Sequence, residues 1–262
     1  MKSWRLILDG PDLGSSNMAG DEAILATAER GLSSGRIPTP TLRFYEWDVP
    51  TISIGYPQEA SPFLDAAVPL VRRITGGGAV LHHMELTYSL VSHTAHPFFS
   101  NGSRKAYSSI SGAIVSALKD LGIEADIVTT KLDAGQRDVC FFFPSRYEVA
   151  VNGKKLVGSS QRRLKHAFLQ HGFIVLDVDR GLIERVFGNE VLSRMTWANA
   201  HAEISKEALK KCIIKRIGER FQVDFEEAVL SDEETLLRQR LLEQRYLTKD
   251  WNMGHPLKYS VI

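Results

Sequence analysis

The order of local signals predicts an α+β fold with a mixed or antiparallel central sheet flanked by helices. Three observations predict it. β-Branched and aromatic runs crowd the middle of the chain, amphipathic helical spacing dominates from about residue 205, and strands do not alternate with helices as a βαβ array requires. No internal repeat, low-complexity tract or long Pro/Ser linker interrupts the sequence, so residues 1–262 are expected to form a single domain.

Taken in order, residues 4–9 (WRLILD) read as a short strand. Ser16 or Asn17 is positioned to cap a helix through Arg30, with Asp21 and Glu22 near its positive end and Gly31 past its last turn. Residues 41–47 and 51–55 are rich in β-branched and aromatic residues and flank Asp48-Val49-Pro50, which predicts a hairpin. Residues 68–74 form a further strand that ends at Gly76-Gly77-Gly78, and residues 86–93 form the next. Ala106 to Leu121 has helical spacing, residues 123–128 return to strand character, and a polar loop runs from Thr129 to Asp138.

The clearest local signal surrounds Asn152-Gly153, the pair favoured in a type I′ turn, with alternating strands on both sides. A two-residue loop there pairs Val151 with Lys154 and Ala150 with Lys155. It puts Lys155 on a face with Glu148, Ala150 and Val157, and Lys154 on the other with Tyr147, Val149 and Leu156. Residues 167–179 continue the sheet, and Lys206–Phe221 and Asp232–Leu247 are amphipathic helices.

Bulk properties exclude several classes. With 32 basic and 31 acidic residues the formal charge is +1, which gives no global attraction to nucleic acid or to an anionic membrane. No apolar run approaches the ~20 residues of a membrane helix, and the apolar stretch before Asp9 is too short for a signal peptide. Cys140 and Cys212 make no disulfide framework, so a reducing cytoplasm is expected. The histidines show no metal-ligand spacing, and no metal is expected.

Arg72-Arg73-Ile74-Thr75-Gly76-Gly77-Gly78-Ala79 is the most unusual stretch. Three adjacent glycines between strands are a tight bend, a close backbone approach to a ligand, or both. The two arginines before them either serve an anionic group or lie on the surface. No Gly-Lys-Ser/Thr follows, which rules out a Walker loop, and no helical pattern follows, which rules out the dinucleotide fingerprint.

RRITGGGAVLHHMELTYSLV (72–91) resembles the signature of the lipoate-protein ligase and octanoyltransferase family. Asn17-Met18-Ala19 with Asp21-Glu22-Ala23, LRFYEWDVPTISIGYPQ (42–58), NGKKLVGSSQ (152–161), LQHGFIVLD (169–177) and RYLTKDWNMG (245–254) follow in the family's order, so the resemblance spans nearly the whole chain. It implies the catalytic domain shared with biotin ligases and class II synthetases. It also implies that Arg73, Thr75, Gly76, Gly77, Gly78, Ala79 and His82, with Gly158, Ser159, His171 and Gly172, form the acyl-binding site. The Gly-Arg-Gly-Arg-type loop of biotin ligases is missing.

Val139-Cys140-Phe141-Phe142-Phe143-Pro144-Ser145-Arg146-Tyr147-Glu148 is similar to the cysteine segment of the octanoyltransferase branch with a ligase-like sequence (the LipM type). The ligases carry an Arg-Asn-Asp-type segment without cysteine there. The resemblance implies that Cys140 carries the acyl group as a thioester and that Lys155 holds the acyl carbonyl. An ammonium aimed at a developing oxyanion suits that role. Read without the family, Cys140 is a buried, inert thiol and Lys155 is a solvated hairpin lysine or one paired with Glu148. Cys212, in a helical pattern, is a packing residue. Phe142, Arg146 and His83 depart from the family pattern, the first and last where an acidic residue is frequent.

The implied reaction takes octanoyl from acyl-carrier protein to the lysine of a lipoyl domain or glycine-cleavage H protein, and needs no cofactor. Thioester exchange is nearly isoenergetic, and the amide that follows is more stable. Three alternatives stay open: an ATP-dependent lipoate ligase, an amidotransferase between lipoyl domains, and a non-catalytic protein that binds a lipoyl domain.

Overall fold

Strand periodicity explains how the main sheet buries both faces. In residues 86–91, Leu86, Tyr88 and Leu90 lie in one apolar cluster, while Val91 lies in another on the opposite side. The same alternation sends Leu42 and Phe44 to the first cluster and Tyr45 to the second. Helices cover both clusters, so the central strands are buried throughout.

The computed structural model describes residues 2–128, 148–254 and 259–260. In chain order the elements begin with β1 (Lys2–Asp12), α1 (Gly14–Ser33), β2 (Thr41–Trp47), β3 (Thr51–Ile54), β4 (Leu70–Arg72), β5 (Val80–His82) and β6 (Glu85–His93). Then come α2 (Ser103–Asp120), β7 (Asp126–Ile127), β8 (Val149–Val151), β9 (Lys154–Arg163) and β10 (Ala167–Val175). The remainder is α3 (Arg180–Phe187), α4 (Glu190–Arg194), α5 (Lys206–Phe221), β11 (Val223–Ala228), α6 (Asp232–Leu241) and α7 (Lys249–Met253).

Eight strands form a mixed sheet in the order β11-β1-β2-β6-β10-β9-β8-β7, and β4-β3-β5 form a second, smaller one. β1 runs parallel to both β11 and β2, and the rest of the large sheet is antiparallel. The architecture is therefore α+β, with one parallel crossover through α1. Helices α2 and α5 pack together against one face, and α1 and α6 against the other. The small sheet packs with α3 and α4 around a third apolar cluster. No helix among the described residues is long and apolar enough to cross a membrane.

Several local readings hold to the residue. Asn152 and Gly153 both have positive φ, 50° and 75°, as a type I′ turn requires, and Ala150 pairs with Lys155 and Val151 with Lys154. The helix read over Lys206–Phe221 is α5 to the residue; the structure adds its cap, Ser205 accepting from the Ala208 N–H, and a capping box of Ser231 with Glu234 on α6.

Others are corrected. Residues 41–47 and 51–55 do not form a hairpin, because both edges of β2 are occupied by β1 and β6, and β3 joins the small sheet. Helix α1 starts at Gly14 without a side-chain cap, so Ser16 and Asn17 lie inside it, as does Gly31. Asp21 and Glu22 are consequently buried in mid-helix rather than exposed at a terminus. A bulge at Leu156 shifts the phase of β9, so Val157 joins Leu156 and Val149 in the α2–α5 cluster rather than sharing a face with Lys155.

Candidate active site

The triple-glycine turn joins β4 to β5, and Arg73, just before it, lines a cleft. Strands β9 and β10 line the cleft with Gly158, Ser160, His171 and Phe173, α1 contributes Met18, and the small sheet contributes Ser53, Val80 and His82. Arg73 organises the turn. Its Nη2 donates to the carbonyls of Gly76 and Gly78 at 2.8 and 2.7 Å, and its Nη1 donates to Ser53 O and Oγ at 2.9 and 3.0 Å. Gly77 has φ 90°, and a Cβ on Gly55 would stand 2.1 Å from the Gly77 oxygen. Close backbone packing therefore explains two of the glycines in physical terms.

Two buried carboxylate–histidine–hydroxyl arrays flank the cleft. In the first, Asp21 Oδ2 lies 2.9 Å from His171 Nδ1, and His171 Nε2 lies 2.7 Å from Thr75 Oγ1, which also accepts from Ser160 Oγ at 2.7 Å. The carboxylate can only accept, so His171 donates through Nδ1 and accepts from Thr75 through Nε2. Burial works to raise the Asp21 pKa. The hydrogen bond from His171 and the charge of Arg43, 2.8 Å away, outweigh it and hold the group below its usual value. Tyr45 donates to the same carboxylate at 2.9 Å; burial, reinforced by Asp21, pushes its phenol well up, so it stays a neutral donor.

In the second array, Glu85 Oε1 lies 2.7 Å from His82 Nδ1, and His82 Nε2 lies 2.7 Å from Ser53 Oγ. The His82 ring stacks on Trp47 with centroids 3.8 Å apart and planes 9° apart. Burial pushes the His82 pKa down, and Glu85 pulls the other way without compensating. The imidazole is therefore neutral at pH 7, a polar but uncharged part of the cleft wall.

Lys155 is 0% exposed and Glu148 2%, with Nζ and Oε1 2.7 Å apart. The pair belongs to the protein interior, so the solvated hairpin lysine is excluded. The bulge at Leu156 puts Gly158 and Ser160 on the face that carries Lys155. A Cβ on Gly158 would stand 3.0 Å from Lys155 Cε and 2.6 Å from Phe173 Cζ, so the glycine gives the lysine stem its room beside the cleft.

Residues 14–218 match the family model of the lipoyl protein ligase A/B catalytic domain. The chain belongs to this family. It is 36% identical to octanoyltransferase LipM of Carboxydothermus hydrogenoformans, over 96% of this chain and 98% of that protein. It is also 36% identical to octanoyltransferase LipM of Brevibacillus brevis, over 97% and 99%. These relatives make the chain an acyl-transferring enzyme of the lipoyl protein ligase A/B family. Among solved structures, protein Ta0514 of T. acidophilum, a candidate lipoate protein ligase, superimposes with a TM-score of 0.81 at 26% identity, covering 97% of this chain and all of that one. Lipoate-protein ligase A bound with ATP gives 0.80 at 24% identity, covering 98% and 100%, and shares the fold.

Of the residues that the family resemblance singled out, Arg73, His82, Gly158, His171 and Gly172 line the cleft. Thr75 meets it through His171 and Ser160. Ser159 lines it as well, while its hydroxyl accepts from Tyr88 on the α2 side, at 3.2 Å. Ala79 is buried in the small-sheet cluster outside the cleft lining, and Gly76 and Gly78 serve as carbonyl acceptors for Arg73. Arg72 is buried away from the cleft among main-chain carbonyls rather than presented to an anion. Cys140 lies outside the described residues. Sequence reading missed the roles of Asp21, Ser53, Glu85 and Ser160. Glu85 stands three residues after His82, a local signal that a partner search would find; the partners of Asp21 are distant in the chain and gave none.

Proposed function

We propose that this enzyme transfers an octanoyl group from acyl-carrier protein to the lysine of a lipoyl domain or glycine-cleavage H protein, through a thioester on Cys140. The observation that carries the reading is 36% identity to octanoyltransferases along nearly the full length of both chains. The cysteine segment, with Pro144-Ser145 and Tyr147-Glu148, supports the covalent route.

The chemistry balances without ATP. The Cys140 thiolate attacks the donor thioester carbonyl, the carrier thiol leaves and takes up a proton, and the acyl chain is now on sulfur. The acceptor amine then attacks the same carbonyl, Cys140 leaves as thiolate, and the proton lost by the amine restores the thiol. A cysteine with an ordinary pKa of ~8.5 is only a few per cent thiolate at neutral pH, so the site must favour ionisation or position the sulfur. The Lys155 ammonium, anchored by Glu148, suits the oxyanion of both tetrahedral intermediates. Met18, Val80 and Phe173 offer an apolar bed for the chain.

The test is an ATP-free transfer assay with intact-mass readout. Octanoyl-carrier protein is expected to add one octanoyl group to the enzyme, lost on addition of lipoyl domain and absent in Cys140→Ser, whose hydroxyl is far less nucleophilic. Modification that requires ATP and persists in Cys140→Ala would replace this reading with a lipoate ligase. Transfer only from octanoylated H protein would make the enzyme an amidotransferase.

A further inference from the structure

Arg72 is a fully buried charged side chain that the mechanism above does not use. Each of its three guanidinium nitrogens donates to main-chain carbonyls. On one side Nη1 donates to Gly55 O, Tyr56 O and Gln58 O, at 3.2, 3.0 and 2.6 Å. On the other, Nε donates to Trp251 O at 2.7 Å, and Nη2 to Asn252 O and Gly254 O at 3.2 and 2.8 Å. The Arg72 main chain joins in: its N–H donates to Asn252 Oδ1 at 2.9 Å, and its carbonyl accepts from Trp251 Nε1 at 2.8 Å.

We infer that Arg72 is a positioning residue that clasps the C-terminal α7 segment to the 55–58 turn and thereby sets the place of the triple-glycine loop. The inference rests on the reading that this loop walls the acyl cleft. α7 ends with carbonyls that no helical N–H can reach, and a cation at a helix C-terminus is favoured in addition. The 55–58 turn ends β3 and likewise presents carbonyls inward. One planar fork of five N–H donors can satisfy both sets at once, whereas a lysine ammonium is a single point.

The link from clasp to loop is direct. Gly55, whose carbonyl Arg72 holds, packs its Cα against the Gly77 oxygen so closely that a Cβ would stand 2.1 Å away. Tyr56 N–H donates to Thr75 O at 2.8 Å, and Arg73 N–H donates to Ile54 O at 3.0 Å. The same turn is backed from outside by aromatic contacts of the Tyr56 ring with Trp251 and Tyr259, centroids 5.9 and 6.1 Å apart. Release of α7 therefore loosens the turn, and the turn carries the loop.

The test uses the full chain as Arg72→Lys and Asn252→Ala, with two readouts. Hydrogen exchange of the segment 73–78 is expected to quicken about tenfold in Arg72→Lys and less in Asn252→Ala, with β6 and β10 unchanged, as a local opening demands. KM for octanoyl-carrier protein is expected to rise about tenfold in Arg72→Lys with kcat within about twofold, since the clasp touches no reacting atom. Wild-type exchange at 73–78 in a folded variant would overturn the inference, as would exchange that quickens equally in β6 and β10, or kcat that falls at constant KM. If Arg72→Lys does not melt cooperatively, Asn252→Ala decides by the same two measurements. If the wild-type enzyme transfers no octanoyl, the functional reading fails, and the exchange data alone decide the clasp.

Discussion

The two carboxylate–histidine–hydroxyl arrays have the same chemistry and different engineering. Asp21, His171 and Thr75 come from α1, β10 and the glycine turn, so their hydrogen bonds tie three distant segments together. Glu85 and His82 are three residues apart, Glu85 opening β6 of the large sheet and His82 closing β5 beside Ser53 of β3, so the second array is local and ties the small sheet to the start of β6. Arg43 sits beside Asp21 and is itself buried, held also by Asp9 at 2.6 Å. No guanidinium or ammonium bonds to the Glu85 carboxylate among the described residues; it accepts from His82 and Thr87. The first array is thus a charge-paired clamp, and the second a wall whose carboxylate is held by His82 and Thr87.

Neutralising each carboxylate should separate them most. Asp21→Asn leaves the buried Arg43 without its closest fully buried counter-charge, and loss of one partner of a buried pair costs about 3 kcal/mol or more. Glu85→Gln keeps an amide oxygen that accepts from His82 and Thr87, so about 1 kcal/mol is expected. Denaturant unfolding of both variants measures the difference. Equal losses would mean that Arg43 is compensated by Asp9 alone and that the contrast between clamp and wall is wrong.

A smaller effect separates the arrays by pH. Burial puts the folded pKa of His82 below its unfolded value of about 6.5, so as pH falls the unfolded chain takes up this proton first. The stability associated with neutral His82 is complete above that value and is lost as pH falls from it toward the folded pKa. Asp21 is depressed from the carboxylate range, so its contribution is present above about 3.9 and is lost only below it. Between pH 7.5 and 5.5 the His82 contribution should therefore slope while that of Asp21 stays flat. The unfolding midpoint of His82→Gln is expected to fall less over that interval than that of the wild type. Parallel curves would show that His82 does not titrate differently on folding.

What was legible in the sequence follows the range of the interactions concerned. Helix α5 was readable to its ends because amphipathic spacing is local, and the Asn152-Gly153 turn needs only its own two residues. The strand character of 41–47 and 51–55 was equally local, but their partners were not. β2 is claimed by β1 across a helix and by β6 across the small sheet, which no turn signal announces. Asp21 was misplaced for the same reason: its partners Arg43, Tyr45 and His171 are 22, 24 and 150 residues away. The family resemblance placed Arg73, His82, Gly158, Ser159 and His171 around the cleft, yet it named no role for the Ser160 hydroxyl, whose link through Thr75 to His171 joins residues far apart in the chain.

The two adjacent serines give the smallest and most discriminating effect, because their hydroxyls find partners on opposite faces of the sheet. Ser159 accepts from the buried Tyr88 phenol beneath α2, which also accepts from Gln170 at 3.2 Å. Ser159→Ala leaves that phenol without its acceptor, at a cost of about 1 kcal/mol, with octanoyl transfer within about twofold of wild type. Ser160 is the donor at the end of the chain through Thr75 to His171, and Thr75 keeps His171 as its acceptor when Ser160 is lost. Ser160→Ala should therefore cost less stability than Ser159→Ala but lower transfer several-fold, about 1 kcal/mol in the barrier, by loosening Thr75 behind His171 of the cleft wall. The prediction is a crossing: stability falls more in one variant and turnover more in the other. Variants that rank the same way in both assays would put both hydroxyls on one side of the sheet in functional terms, and the bulge at Leu156 would then not set which serine serves the cleft.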